Sequence, residues 1–150
     1  MRFPGRSCIT STRRVDQREW TWGEIDSRVN AVVKALRALG VRKGDKILVH
    51  SRNNLPVFES GWIAFKLGAA WVPTNYRITP PEVAYLGQSS GASVMIYDSG
   101  FEGHVDAVRQ ASPALRHVIS IGPPRAGELS YEDLVAKHAG AASEEADVEF

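Results

Sequence analysis

The apolar positions along the chain change period in a regular way. Ile25, Val29, Val32, Val33 and Leu36 recur at helical spacing, and Thr21-Trp-Gly-Glu24 before them has the Thr-x-x-Glu form of a capping box. Gly40 follows as the residue that ends such a helix, so the spacing predicts one amphipathic helix from Trp22 to about Leu39. Ile47-Leu-Val-His50 is a short β-branched run and predicts a strand. The polar turn Ser51-Arg-Asn-Asn54 is able to cap the next helix. On that helix Leu55, Phe58, Trp62 and Phe65 share one face, Gly61 permits a close approach, and Gly68 is the stop. This aromatic face is expected to pack into the core. Ala69-Ala-Trp-Val72 predicts a second strand, ended by Pro73.

The same logic repeats downstream. Thr79-Pro-Pro-Glu82 combines an N-cap, an early Pro and a Glu at the third helical position, opening a helix that runs to about Ser89. Gly87-Gln-Ser-Ser-Gly91 reads as that helix's end and turn. Ser93–Tyr97 predicts the third strand. Ser99-Gly-Phe-Glu102 reads as another capping box, with a helix to about Ala111. His117–Ile121 is the fourth strand, the loop Gly122–Gly127 carries turn residues, and Ser130 starts a last short helix ending near Gly140. Residues 9–21 alternate weakly around a turn candidate at Arg14–Gln17, which predicts a short β-hairpin, with Trp20 and Trp22 covering it.

Alternating strands and helices define the fold class: α/β, a parallel sheet with helices on its faces, preceded by a short β-hairpin. Ligands of open parallel sheets bind beside the C-terminal strand ends, here His50–Asn54, Pro73–Arg77 and Asp98–Ser99. Composition adds exclusions. The chain has 150 residues, 18 Lys+Arg against 17 Asp+Glu, and no basic stripe, so nucleic acid is not an expected partner. Its single cysteine, Cys8, excludes an internal disulfide framework. The four histidines show no metal-ligand spacing, so no metal site is expected. The most apolar stretches fall far short of the roughly 20 residues of a membrane span. Residues 1–15 are rich in Arg, Ser and Thr, a composition shared with organellar presequences, but a cytoplasmic protein is the plainer expectation. No GxxxxGK[ST], GxGxxG or GxSxG pattern is present, so no catalytic residue is assigned. His50, at a strand end, is the one tempting acid–base group.

Two stretches carry a family resemblance. One is Thr21-Trp-Gly-Glu-Ile25 with Arg28-Val-Asn30, Leu39-Gly-Val-Arg-Lys-Gly-Asp45 and Asn53. The other, more specific, is Lys66-Leu-Gly-Ala-Ala-Trp-Val-Pro-Thr-Asn-Tyr-Arg-Ile-Thr-Pro80 with Glu82-Val-Ala-Tyr85 and Ser90-Gly91. In order and spacing, residues 16 to 121 resemble the N-terminal region of the AMP-forming adenylating enzymes, which include acyl-CoA synthetases, peptide-synthetase adenylation domains and luciferases. Asn75 stands where peptide-synthetase domains usually have Asp, so the chain is closer to the acyl-CoA synthetase form.

The resemblance implies the N-terminal subdomain of the synthetase large domain. It divides the chain into an arm or hairpin at 1–20, the α/β subdomain at 21–140 and an acidic linker at 141–150. It also implies a two-step reaction: a carboxylic acid and ATP give acyl-AMP and pyrophosphate, and the thiol of coenzyme A (CoA) then displaces AMP. ATP, Mg²⁺ and CoA are the implied cofactors of the full enzyme. The family's Lys-ended phosphate loop, Mg²⁺ ligand, ribose-holding Asp and C-terminal Lys have no counterparts in this sequence. The expectation is therefore that the chain does not adenylate alone, and that its partner is the remainder of a ligase chain. A surface left open would then promote self-association. Asn75, Tyr76 and Arg77 are implied to lie on the CoA side, where the Arg77 guanidinium matches phosphate oxygens. The plainer reading is that Asn75 and Arg77 fix this loop to the rest of the fold. Within the resemblance the alternative is a peptide-synthetase-type adenylation fragment, against which Asn75 argues; from a different class, the alternative is a non-catalytic module that binds a nucleotide or a partner protein.

Overall fold

The computed structural model describes residues 5–13 and 16–143. Strands β1 (Ser7–Arg13) and β2 (Asp16–Thr21) form the antiparallel hairpin, with Ser7 opposite Thr21 and Arg13 opposite Asp16. The expected turn is tighter than Arg14–Gln17, because Asp16 and Gln17 already belong to β2; residues 14 and 15 lie outside the described residues. This hairpin is a separate two-stranded sheet.

Helix α1 (Trp22–Ala38) starts as the sequence dictates: Glu24 N–H donates to Thr21 Oγ1 at 3.2 Å, and Thr21 N–H donates to Glu24 Oε2 at 2.8 Å. Gly40 takes φ of 89°, the left-handed region open to glycine, and the chain turns into β3 (Lys46–His50). Next come α2 (Leu55–Leu67), β4 (Ala70–Pro73), α3 (Pro80–Ser90), β5 (Val94–Tyr97), α4 (Glu102–Ala111), β6 (His117–Ser120), β7 (Leu129–Ser130) and α5 (Tyr131–Lys137). All neighbours in the main sheet are parallel, in the order β4-β3-β5-β6-β7.

The period-2 alternation of the central strands sorts the core onto two faces. Ile47, Val49, Val94, Ile96 and Ile119 pack with Ile25, Val29, Val32 and Leu36 of α1, Ile63 and Leu67 of α2, and Tyr131 of α5. Leu48, Met95, Tyr97 and Val118 pack on the opposite face with Val83 of α3 and Val105 and Val108 of α4. The result is three layers, helix–sheet–helix, as expected for this fold class.

Three local expectations are corrected. First, Ser99 does not cap α4. The N-cap is Phe101, without a side-chain bond, and Glu102 Oε1 accepts instead from Gly100 N–H at 2.9 Å. Ser99 is held against Gly122, where an added Cβ would lie 2.6 Å from Ser99 Oγ. Second, α5 ends at Lys137, a turn earlier than Gly140. Third, β7 is a two-residue strand in a region read as loop and helix cap, too short to leave a periodic signal.

Candidate functional site at the C-terminal edge of the sheet

The chain runs from β3 outward to β4, then crosses back to β5 on the other side of β3. The order therefore reverses between β3 and β5, and His50 pairs in register with Tyr97 at their C-terminal ends. Such a switch point leaves a crevice between diverging loops.

The loop after β4 is the first part of the site. Asn75, Tyr76 and Arg77 are all exposed. Arg77 N–H donates to Asn75 Oδ1 at 3.0 Å, and Ile78 N–H donates to the Asn75 carbonyl at 3.2 Å. Arg77 Nε donates to the Tyr76 hydroxyl at 3.2 Å. These side-chain bonds of Asn75 and Arg77 run within the loop and shape it. At its far end Thr79 N–H and Oγ1 both donate to Glu82 Oε2 at 2.7 Å, and the backbone bond holds the Glu82 carboxyl below its ordinary pKa.

Beneath the loop lies a ring cluster. His50 is fully buried, and its Nδ1 is 2.7 Å from Thr74 Oγ1. Its ring stacks on His104 of α4 with centroids 4.4 Å apart and an interplanar angle of 26°. Phe101 meets both rings edge-on, at 4.6 and 5.2 Å. The Arg52 guanidinium lies 4.7 Å over Phe101 and pairs with Asp98 at 3.5 Å. Burial, and secondarily the neighbouring His104, push the His50 pKa down to about 4. The His50 imidazole is therefore neutral near pH 7 and supplies no charge to a ligand. His104 and Phe101 escaped the sequence reading, since a lone His in the first turn of a helix carries no spacing signal.

A second feature lies on α2. The aromatic face Phe58, Trp62 and Phe65, expected in the core, is 37%, 40% and 66% exposed. With Trp71 of β4, and with Gly61 beneath the Trp71 ring, it lines an open apolar groove of about 590 Å³. The stripe that faces inward is instead Pro56, Glu59, Ser60, Ile63, Ala64 and Leu67. Two polar residues face the interior because each has partners. Ser60 Oγ donates to the Val57 carbonyl at 2.6 Å and accepts from Trp71 Nε1 at 2.9 Å. Glu59 accepts from Arg28 and from the Tyr131 hydroxyl. Trp22 turns toward this groove, 6.5 Å from Phe58, whereas Trp20 packs on the core with the Arg18 guanidinium 3.7 Å over its ring.

Among the described residues no three His, Cys, Asp or Glu side chains converge as a metal site, and no helix is long and apolar enough to cross a membrane. The acidic run Glu144, Glu145, Asp147 and Glu149, read as a linker, lies outside the described residues.

Fold and site together define an open, switch-pointed α/β domain with a loop-built edge. Residues 1–149 match the family model described as AMP-binding enzyme. The chain is 29% identical over 118 residues to a 3-oxocholest-4-en-26-oate–CoA ligase of Rhodococcus rhodochrous, an alignment covering 79% of this chain and 20% of that protein. It is 35% identical over 94 residues to the long-chain-fatty-acid–CoA ligase FadD13 of Mycobacterium tuberculosis, covering 62% of this chain and 19% of the relative. The solved anthranilate CoA ligase AuaEII, in complex with anthranoyl-AMP, superposes with a TM-score of 0.81 at 26% identity, over 96% of this chain and 27% of that one. The chain thus belongs to the AMP-binding enzyme family, the AMP-forming adenylating enzymes whose resemblance its motifs carry. It spans about a fifth of the length of these curated relatives.

Proposed function

We propose that this chain is the N-terminal α/β part of an AMP-forming acid–thiol ligase, which joins a carboxylic acid to CoA through an acyl-AMP. The three divisions at 1–20, 21–140 and 141–150 belong to the same proposal. What supports it is the family membership, together with curated relatives that are CoA ligases, aligned over about a fifth of their length. In such an enzyme this sheet is framework, and its C-terminal edge forms one wall of the approach to CoA. The observation that carries the site reading is the exposed Arg77 guanidinium, displayed on a loop at that edge. A guanidinium fork fits the oxygens of a phosphate, and CoA brings phosphates. Arg77→Ala in the ligase that contains this chain should raise KM for CoA several-fold and leave kcat for adenylation unchanged. An unchanged KM removes the assignment.

ATP and Mg²⁺ belong to the proposed reaction, but among the described residues no three His, Cys, Asp or Glu side chains converge to hold the metal. The sequence also lacks a Gly-rich phosphate loop of the common kinds. The 150 residues alone are accordingly inactive in this reading. Pyrophosphate exchange by the purified chain with any fatty or aromatic acid would overturn it. The open groove of Phe58, Trp62, Phe65 and Trp71 supports the companion reading that the isolated chain self-associates, because apolar surface of this kind is seldom left uncovered.

A further inference from the structure

We propose that His50 and His104 are positioning residues that clamp the two ends of the 75–77 loop and set its orientation over the switch point. Thr74, immediately before the loop, is held by His50; Ile78, immediately after it, is held by His104 through its carbonyl oxygen, 3.0 Å from His104 Nε2. The bonds of Asn75 and Arg77 lie within the loop; Thr74 N–H also donates to the Val49 carbonyl at 2.9 Å, and the two histidine contacts join the loop's flanks to the ring cluster of β3 and α4.

The geometry also assigns each proton. Thr74 Oγ1 has one hydrogen for two neighbours, His50 Nδ1 at 2.7 Å and the Val49 carbonyl at 3.0 Å. A proton on His50 Nδ1 satisfies both contacts at once, because the hydroxyl then accepts from the ring and donates to Val49. A carbonyl oxygen only accepts, so His104 carries a proton on Nε2. The second nitrogen of His50, Nε2, is buried and without a hydrogen-bond partner, as befits an unprotonated lone pair in a neutral ring. The two rings stack at 4.4 Å, and Phe101 packs edge-on against both. The charged groups beside the cluster, Arg52 and Asp98, neutralise one another across Phe101. Moving the His104 proton off Nε2 would break its bond to Ile78, whereas moving the His50 proton to Nε2 would make Thr74 Oγ1 the donor, cost its bond to Val49 and bury an unpaired N–H.

The link to CoA rests on the Arg77 reading above; the clamp itself does not. The first test is hydrogen exchange at the Arg77 and Ile78 amides of the 150-residue chain, with α4 amides as internal control. His104→Phe keeps the stacked ring and deletes the donor. It should raise loop exchange roughly fivefold, the factor expected for one lost neutral hydrogen bond, with α4 unmoved. His104→Gln keeps a donor and should stay within about twofold of the parent. Unchanged loop exchange in His104→Phe overturns the clamp. Imidazole ¹⁵N shifts of the unsubstituted chain provide a reading independent of any variant: Nε2–H on His104 supports the clamp and its absence overturns it, while Nδ1–H on His50 supports the proton placement there and Nε2–H overturns that placement. In the CoA-ligase assay, His104→Phe should raise KM for CoA without lowering kcat for adenylation. If exchange rises while KM stays put in both His104→Phe and Arg77→Ala, the clamp stands and the CoA assignment of the loop falls.

Discussion

Removing Arg28 should make an otherwise harmful substitution at Glu59 beneficial. Glu59 is fully buried on α2. It receives Arg28 Nε at 2.6 Å, Arg28 Nη2 at 3.2 Å and the Tyr131 hydroxyl at 2.7 Å, which locks α1, α2 and α5 together. Arg28 has a second carboxylate, Glu132, at 2.8 Å, and that partner reaches solvent. The two singles are therefore unequal. Glu59→Gln leaves Arg28 paired with Glu132 and should cost about 1–3 kcal/mol, the range for a compromised charged hydrogen bond. Arg28→Met strands a buried carboxylate with one hydroxyl, which costs about 3–5 kcal/mol. In that background Glu59→Gln removes the stranded charge and keeps an acceptor for Tyr131, so the double variant should be more stable than Arg28→Met alone. The pH dependence follows the same logic. Burial raises the Glu59 pKa, and Arg28 is the main group opposing it. Without Arg28 the folded state binds a proton more readily than the unfolded chain, so Arg28→Met should gain stability as pH falls from 7 toward 5, relative to the parent. Urea unfolding of the four proteins at both pH values measures all of this. A double variant weaker than Arg28→Met by the full cost of Glu59→Gln would refute the reasoning, since the two effects would then be additive.

Other consequences are as direct. The His50 pKa is pushed down to about 4 in the fold from its ordinary 6.5, so the unfolded chain binds the extra proton between those pH values. Stability from this group is intact above pH 6.5 and lost as pH falls toward 4, about 3 kcal/mol in all; urea titrations of the parent and His50→Gln should differ in slope there, and identical slopes would exclude the effect. Gly87→Ala places a Cβ 2.8 Å from Val108 Cγ1 between α3 and α4, and should cost about 1–3 kcal/mol. Val108→Ala in addition should recover part of that loss in thermal melts, and no recovery would assign the cost elsewhere. Trp62→Ser with Phe65→Ser should weaken concentration-dependent association of the isolated chain in sedimentation; an unchanged profile would acquit the groove.

Much of the architecture is written in local chemistry. The capping residues at Thr21, Asn54 and Thr79 and the left-handed glycines at 40, 68 and 91 act within one or two turns, so a reader of the sequence finds the helix ends where the structure has them. The β-branched and apolar runs between them mark four of the five strands of the main sheet, and their alternation with helices already requires a parallel sheet. The candidate loop at Asn75–Arg77 is legible for the same reason, as a polar stretch between a Pro-ended strand and a capped helix. The inferences that failed needed to know a distant neighbour. The aromatic face of α2 has the periodicity of a core face. Which stripe turns inward was decided by Arg28 and Tyr131, 31 and 72 residues away from Glu59 and offering its carboxylate full compensation. Ser99-Gly-Phe-Glu102 spells a cap, yet the N-cap is Phe101 and Ser99 lies beside Gly122, from the loop after β6. His50 and His104 lie on different elements, and only the return of the chain across β3 stacks them. Hydrogen-bonding propensity and steric limits of single residues determined the elements. Their rotation about their own axes, and hence what the edge of the sheet presents, was decided by pairings between residues far apart in the chain, which one-dimensional spacing does not encode.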